Sequence, residues 1–187
     1  MRSVLSGLVA LGLGALLCRG QEAYRLDPTN SVIRIHLDTA GALGFVGHAH
    51  LIQTPIERGD FVYYPGDLSK STVEVVVDAG ALQVADPKRL AKERMEIQGT
   101  MQSERVLGIT QYPKIVFKSS KIEPLDRNRL QVSGNLTIRS NTHPVILQVS
   151  LEQEGPRLKA TGDCRFKQTT FGMRPVAAGL GTVRVQD

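Results

Sequence analysis

The chain has 187 residues, 41% hydrophobic and 22% charged, with a formal net charge of +5. This length fits a single domain with a real core. The charge is modest and spread along the chain, so it does not call for a nucleic-acid partner.

The first 20 residues differ from the rest. Arg2 supplies a positive charge, and Val4 to Cys18 is an acid-free apolar stretch rich in Leu, Gly and Ala. Cys18 and Gly20 are small residues suited to the positions before a cleavage site. The segment reads as a secretory signal peptide, residues 1–20, cut after Gly20. It is too short and too weakly flanked for a good membrane span. An uncleaved anchor and lipidation of Cys18 are the minor alternatives, the second disfavoured by Leu17 where a small residue is wanted. This reading places the protein in the periplasm or outside the cell. It leaves one mature domain, residues 21–187, without a membrane span. Loss of Arg2 and Arg19 lowers the charge from +5 to +3. Only Cys164 then remains, so no internal disulfide framework is expected.

Tyr24–Asp27 leads into a first strand, Ser31–Asp38, where Ile33, Ile35 and Leu37 alternate with Arg34, His36 and Asp38. Gly41–Gly47 is punctuated by glycine and is followed by His48-Ala49-His50. Phe61–Tyr64 reads as a short strand closed by the turn Pro65-Gly66-Asp67. Ser71–Leu82 is another strand, with Val73, Val75 and Val77 on one face.

Asp86–Gly108 breaks the alternation and is rich in helix formers. Asp86 is the predicted N-cap, with Pro87 in the first turn, and Gly99 is predicted to divide the helix. Its basic residues read as a solvated face. Tyr112-Pro113 then opens a strand over Lys114–Ile122.

Three runs follow with the clearest alternation in the chain. Even positions are apolar or Gly from Leu130 to Arg139, odd positions are apolar from Val145 to Glu152, and even positions are again apolar or small from Leu158 to Gln168. Side chains alternate across a strand, so each run has one dry and one wet face. Short polar turns between them predict antiparallel neighbours. Cys164 falls on a dry face and reads as a small buried hydrophobe, not a nucleophile. Gly181–Asp187 closes the chain.

About eight strands, one helical insertion and no βαβ alternation predict an all-β fold. The expected architecture is an antiparallel up-and-down barrel, because closure buries the dry faces and leaves no edges. A barrel of this size can be filled by side chains or can hold one small ligand. A two-sheet sandwich is the alternative.

Five motifs in order resemble one family. They are Tyr24-Arg25-Leu26-Asp27 with Asn30–Ile33, then Val73–Leu82, Tyr112–Ile122, Gly134–Val145, and Phe171-Gly172-Met173. Together they are similar to the YceI-like proteins, secreted or periplasmic bacterial proteins. The resemblance covers nearly the whole mature chain. It implies an extended lipocalin-like barrel with a long apolar tunnel for an isoprenoid or other amphiphilic lipid, and no catalytic residues. Two places depart from the pattern. Ser140 or Asn141 replaces the usual hairpin Gly, with Asn141 expected to take the left-handed conformation. Gly47-His48-Ala49-His50 stands where many relatives carry a G-x-F-like run.

His48 and His50 would share one face of a strand and could ligate one metal, but further ligands such as His36, His143 or Cys164 are not brought near by spacing. The ordinary reading is two hydrogen-bonding residues at a barrel mouth. The others are metal ligation and a polar contact to a head group. No nucleophile with a base nearby supports catalysis. Arg34 and Arg139 fall on polar faces and read as solvated. Arg174, in a loop before Pro175, is a candidate head-group contact.

The expected function is therefore binding without catalysis. The ligand is a long-chain lipid or isoprenoid, and the lining candidates are Ile33, Ile35, Val75, Phe117, Leu136, Ile138, Leu147, Val149 and Phe166. No cofactor is expected, and a homodimer is left open. A periplasmic metal- or redox-associated protein using His48 and His50 is the alternative, and a filled structural barrel acting through its surface is the third reading.

Overall fold

The computed structural model describes residues 3–13, 21–37, 39–40, 50–64, 66–174, 177–178 and 183–185. Its strands in chain order are β1 (Ser3–Leu13), β2 (Glu22–Leu26), β3 (Val32–Leu37), β4 (Thr39–Ala40), β5 (His50–Pro55), β6 (Arg58–Tyr63), β7 (Thr72–Asp78) and β8 (Gln83–Val84). After the helix α1 (Ala91–Gln102) come β9 (Lys114–Pro124), β10 (Arg129–Ile138), β11 (Asn141–Glu154), β12 (Arg157–Phe166), β13 (Ala177–Ala178) and β14 (Val183–Val185).

Seven strands form a curled antiparallel sheet in the order β12-β11-β10-β9-β7-β6-β2. Strand β1 pairs with β12 along one edge and with β2 and β3 along the other, closing the wall. Beyond β3 the sheet continues to β5 and β8. Short β4, β13 and β14 make a separate small sheet. The architecture is the antiparallel barrel with one helix that the alternation predicts. Ser3–Leu13, within the segment read as a signal peptide, is here a paired strand.

Burial follows the alternation most clearly in β10, where Leu130, Val132, Gly134, Leu136 and Ile138 are buried in turn. In β11 the inward residues Leu147, Val149 and Leu151 are only half-buried. They face a cavity and not packed atoms, which explains their residual exposure.

Among the described residues the core has two clusters, one toward each end of the barrel. The first contains Leu82, Met101, Leu107, Leu136, Ile138, Phe171 and Met173. The second contains Tyr24, Leu26, Ile56, Phe61, Ile122, Leu130 and Leu158. Helix α1 belongs to the first end, through buried Met101 and half-buried Ile97. Its Gln98 side chain completes the edge there: Oε1 accepts from Val84 N at 2.8 Å and Nε2 donates to Leu82 O at 2.7 Å.

Several local expectations are corrected. Asp86 is not the helix N-cap; α1 starts at Ala91 with Leu90 in that position, where the Leu90 N–H donates to Glu93 Oε2 at 3.3 Å. Gly99 does not divide the helix, which runs through it because the packed face at Ile97 and Met101 outweighs one poor former. Strand β5 was not expected, because Leu51–Pro55 lacks a clean apolar alternation. Among the described non-glycine residues only Arg139 has positive φ, at 58°, so it makes the β10–β11 turn and Asn141 already lies in the strand. Gly41–Gly47, His48, Cys18, Gly20, Pro65 and most of Gly181–Asp187 lie outside the described residues. Among the described residues no helix is long and apolar enough to cross a membrane.

Candidate functional site

The inward faces of the strands enclose a cavity of about 200 Å³. Strand β3 contributes Ile33 and Ile35, and β7 contributes Val73, Val75 and Val77. Ile115 and Phe117 come from β9, Leu136 and Ile138 from β10, Leu147 and Val149 from β11, and Phe166 from β12. The nine lining candidates from the sequence therefore all stand on this one wall. Period-2 geometry brings them together: positions of one parity on each strand face the same side once the sheet curls.

Among the described lining residues polar groups are few. Thr54 lines it, but its hydroxyl donates to Pro55 O at 3.0 Å and is already used. Cys164 also lines it. Burial, and secondarily the neighbouring Asp163 charge, pushes its thiol up to about 11, so it stays a neutral thiol near pH 7. A cavity without polar partners does not hold ordered water well and suits hydrocarbon.

Sequence reasoning missed part of the wall. Ile56, Phe61, Ile122, Leu130 and Val132 line the same space. Leu130 and Val132 carry the parity of Leu136 and Ile138, so the alternation could have found them, whereas Ile122 has the opposite parity to Ile115 and Phe117 and faces inward only because the β9–β10 register shifts between them. Ile56 lies just past β5, and only the fold shows that it points inward.

One end of the barrel is closed by α1 and by the turn Thr169–Phe171. Phe171 is wholly buried, its ring edge-on to Phe166 at 5.2 Å and to His143 at 5.3 Å. Asn141 Nδ2 donates to Phe171 O at 3.0 Å. Arg139 is not a solvated strand residue. From its turn, Nη1 donates to Gly172 O at 2.8 Å and to Val106 O at 3.3 Å, and the guanidinium lies 5.2 Å from the centre of the Tyr112 ring. It fastens the Phe171-Gly172-Met173 turn to the segment after α1. Arg34 is exposed.

The polar candidates lie apart from the cavity. Arg174 is exposed, its backbone N–H donating to Arg105 O at 3.1 Å, and it is not among the lining residues. His50 pairs with buried Asp86, Nδ1 to Oδ2 at 2.7 Å, while Asp86 Oδ1 accepts from Leu51 N at 2.5 Å. Asp86 thus joins β5 to the segment leading into α1. His48 lies outside the described residues, and among the described residues no three His, Cys, Asp or Glu side chains are grouped to hold a metal.

Comparison with known proteins agrees with this architecture. The family model for the YceI-like domain matches residues 24–187. A UPF0312 protein of Vibrio cholerae is 23% identical over 179 residues, covering 91% of this chain and 90% of the relative. A UPF0312 protein of Shewanella putrefaciens is 23% identical over 180 residues, covering 92% of this chain and 88% of the relative. Among solved structures, BcnA of Burkholderia cenocepacia shares the fold with a TM-score of 0.57 at 16% identity, over 98% of this chain and 91% of that one.

Proposed function

Given that the chain belongs to the YceI-like family, we propose that it binds the hydrocarbon chain of an amphiphile, an isoprenoid or fatty-acyl lipid, inside its barrel. It acts without catalysis, in the periplasm or outside the cell. The observation that carries this reading is the apolar wall: a cavity lined by Ile, Val, Leu and Phe, in which the Thr54 hydroxyl is already engaged and the Cys164 thiol is neutral. A polar substrate would lose its water there and gain no partner, at a cost of a few kcal/mol per buried polar group. Hydrocarbon gains about 0.8 kcal/mol for each methylene buried. With about eight carbons inside, the gross gain is roughly 6 kcal/mol. The affinity is then set by chain fit, with the head group left toward solvent.

Organic extraction of the purified protein, followed by mass spectrometry, should release a lipid near one per chain. A lipid-free protein that also fails to bind added prenyl or acyl chains overturns the proposal.

A further inference from the structure

We infer that the first half of α1, with the turn before it, is a docking surface for an anionic lipid bilayer. The inference goes beyond the cavity, because it concerns the outside of the barrel. Leu90 and Met95 are each 72% exposed, the largest exposures among the bulky apolar side chains of the described residues. The other two exposed ones, Leu125 and Ile146, stand singly, after β9 and within β11. Single exposed apolar residues are ordinary, whereas two on one short segment mark a surface that meets something.

Helix geometry accounts for the exposure. Ile97 and Met101, one turn apart, pack on the barrel. Met95 precedes Ile97 by two residues, roughly 200° round the helix, so it faces away from the barrel. Ala91, one turn before Met95, and Lys92, three residues before it, share that outer face, and both are exposed. Leu90 adjoins Ala91 at the N-cap position.

The cations around these residues are not neutralised. Residues 88–96 carry Lys88, Arg89, Lys92 and Arg94 against Glu93 and Glu96. Glu93 is taken by Arg89 at 3.8 Å and by the Leu90 N–H. Among the described residues Lys88, Lys92 and Arg94 have no ion pair, whereas Lys70, Lys114, Lys118, Lys121 and Lys159 each have a carboxylate within 3.3 Å. Arg94 Nη1 donates to Arg89 O at 2.5 Å, a neutral acceptor that leaves its charge unmatched. Free cations beside exposed Leu and Met are complementary to an anionic head-group layer over hydrocarbon. Lysine stems lie along apolar surface while their ammonium groups stay among the head groups. An acidic protein surface would use the cations and leave Leu90 and Met95 in water. The position also serves a protein that takes up lipid. Met101 sets α1 into the cluster that holds Leu82, Leu136 and Ile138, which line the cavity. Docking therefore puts that end of the cavity against the bilayer.

The test is co-sedimentation of the purified protein with vesicles of phosphatidylcholine, alone or mixed with phosphatidylglycerol. At low salt the mixed vesicles should bind about tenfold more tightly or better. That binding should fall as added salt shortens the Debye length from about 10 Å toward about 3 Å. Lys88→Ala/Lys92→Ala should weaken it about 25-fold, at about fivefold per cation. Leu90→Ser/Met95→Ser should weaken it about tenfold or more and keep the salt dependence. Lys118→Ala/Lys121→Ala removes the same charge from paired sites on β9 and should change binding less than about twofold. Circular dichroism checks each fold, and Met95→Ser alone decides the matter if the double variant does not fold. Equal binding to both vesicle types, an equal loss in the β9 variant, or full binding by Leu90→Ser/Met95→Ser overturns the docking surface. Lipid extracted from a protein that binds no vesicle overturns docking alone. Vesicle binding by a protein that holds no hydrocarbon chain overturns the cavity reading alone.

Discussion

Replacing Phe171 by Ala should unhinge the closed end of the barrel. The side chain is fully buried, with Phe166 and His143 edge-on to its ring. Its neighbours are fixed by strand pairing, so they cannot collapse into the space. Phe→Ala changes in such cores cost about 3–5 kcal/mol, and each lost ring contact contributes about 0.5–1.5 kcal/mol of that total. A cost near 4 kcal/mol is a large part of the 5–15 kcal/mol typical of a whole domain. At roughly 2–4 °C per kcal/mol for a chain of this size, Tm should fall by about 8–16 °C. The chain has no Trp, so urea unfolding is best followed by far-UV circular dichroism. The midpoint should fall with the slope unchanged, and Phe171→Leu should cost less than half as much. A loss below about 1 kcal/mol for the Ala variant, typical of surface sites, would refute the assignment of Phe171 as the plug of this end.

Cys164 should resist alkylation at pH 8 in the folded chain, where a thiol moved from 9.0 to about 11 carries about one hundredth of the usual thiolate. Peptide mass mapping before and after urea checks this, and equal rates would contradict it. Because that acid's pKa is raised by folding, the neutral thiol's contribution is intact below pH 9 and lost as pH rises from about 9 to about 11, so unfolding midpoints should fall across that window. Asp86→Ala leaves His50 and the Leu51 N–H without their acceptor and should cost about 1–3 kcal/mol in urea unfolding, with Asp86→Asn milder; no change in either would show that the link is not structural. Metal analysis of the purified protein should give the same content for wild type and for His48→Ala/His50→Ala, whereas loss of one bound metal per chain would revive the metal-protein alternative. Intact mass of the exported protein should correspond to a chain that begins at Gln21 and so lacks β1, and a mass retaining residues 1–20 would contradict cleavage and keep β1 in the wall.

The dry faces were legible in the sequence because they depend only on parity along a strand. Ile33 and Ile35, Leu136 and Ile138, and Leu147 and Val149 each sit two residues apart, and that spacing alone puts them on one side. The order of motifs around them also identified the family. Other features depend on distances that no local pattern encodes. Asp86 looked like a helix cap because Pro87 follows it, yet its carboxylate is taken by His50 and Leu51 from another strand. Arg139 looked like a polar-face residue until the β10–β11 turn fell on it. The close approach at Gly134, where a Cβ would meet Lys118 O at 2.5 Å and the Phe117 ring at 2.6 Å, shows the same division. The sequence marks this glycine as an inward, side-chain-free position, but only the register of β10 against β9 puts the Phe117 ring over it. Periodicity is written residue by residue, whereas the bore of a barrel is set by which strands become neighbours and at what offset.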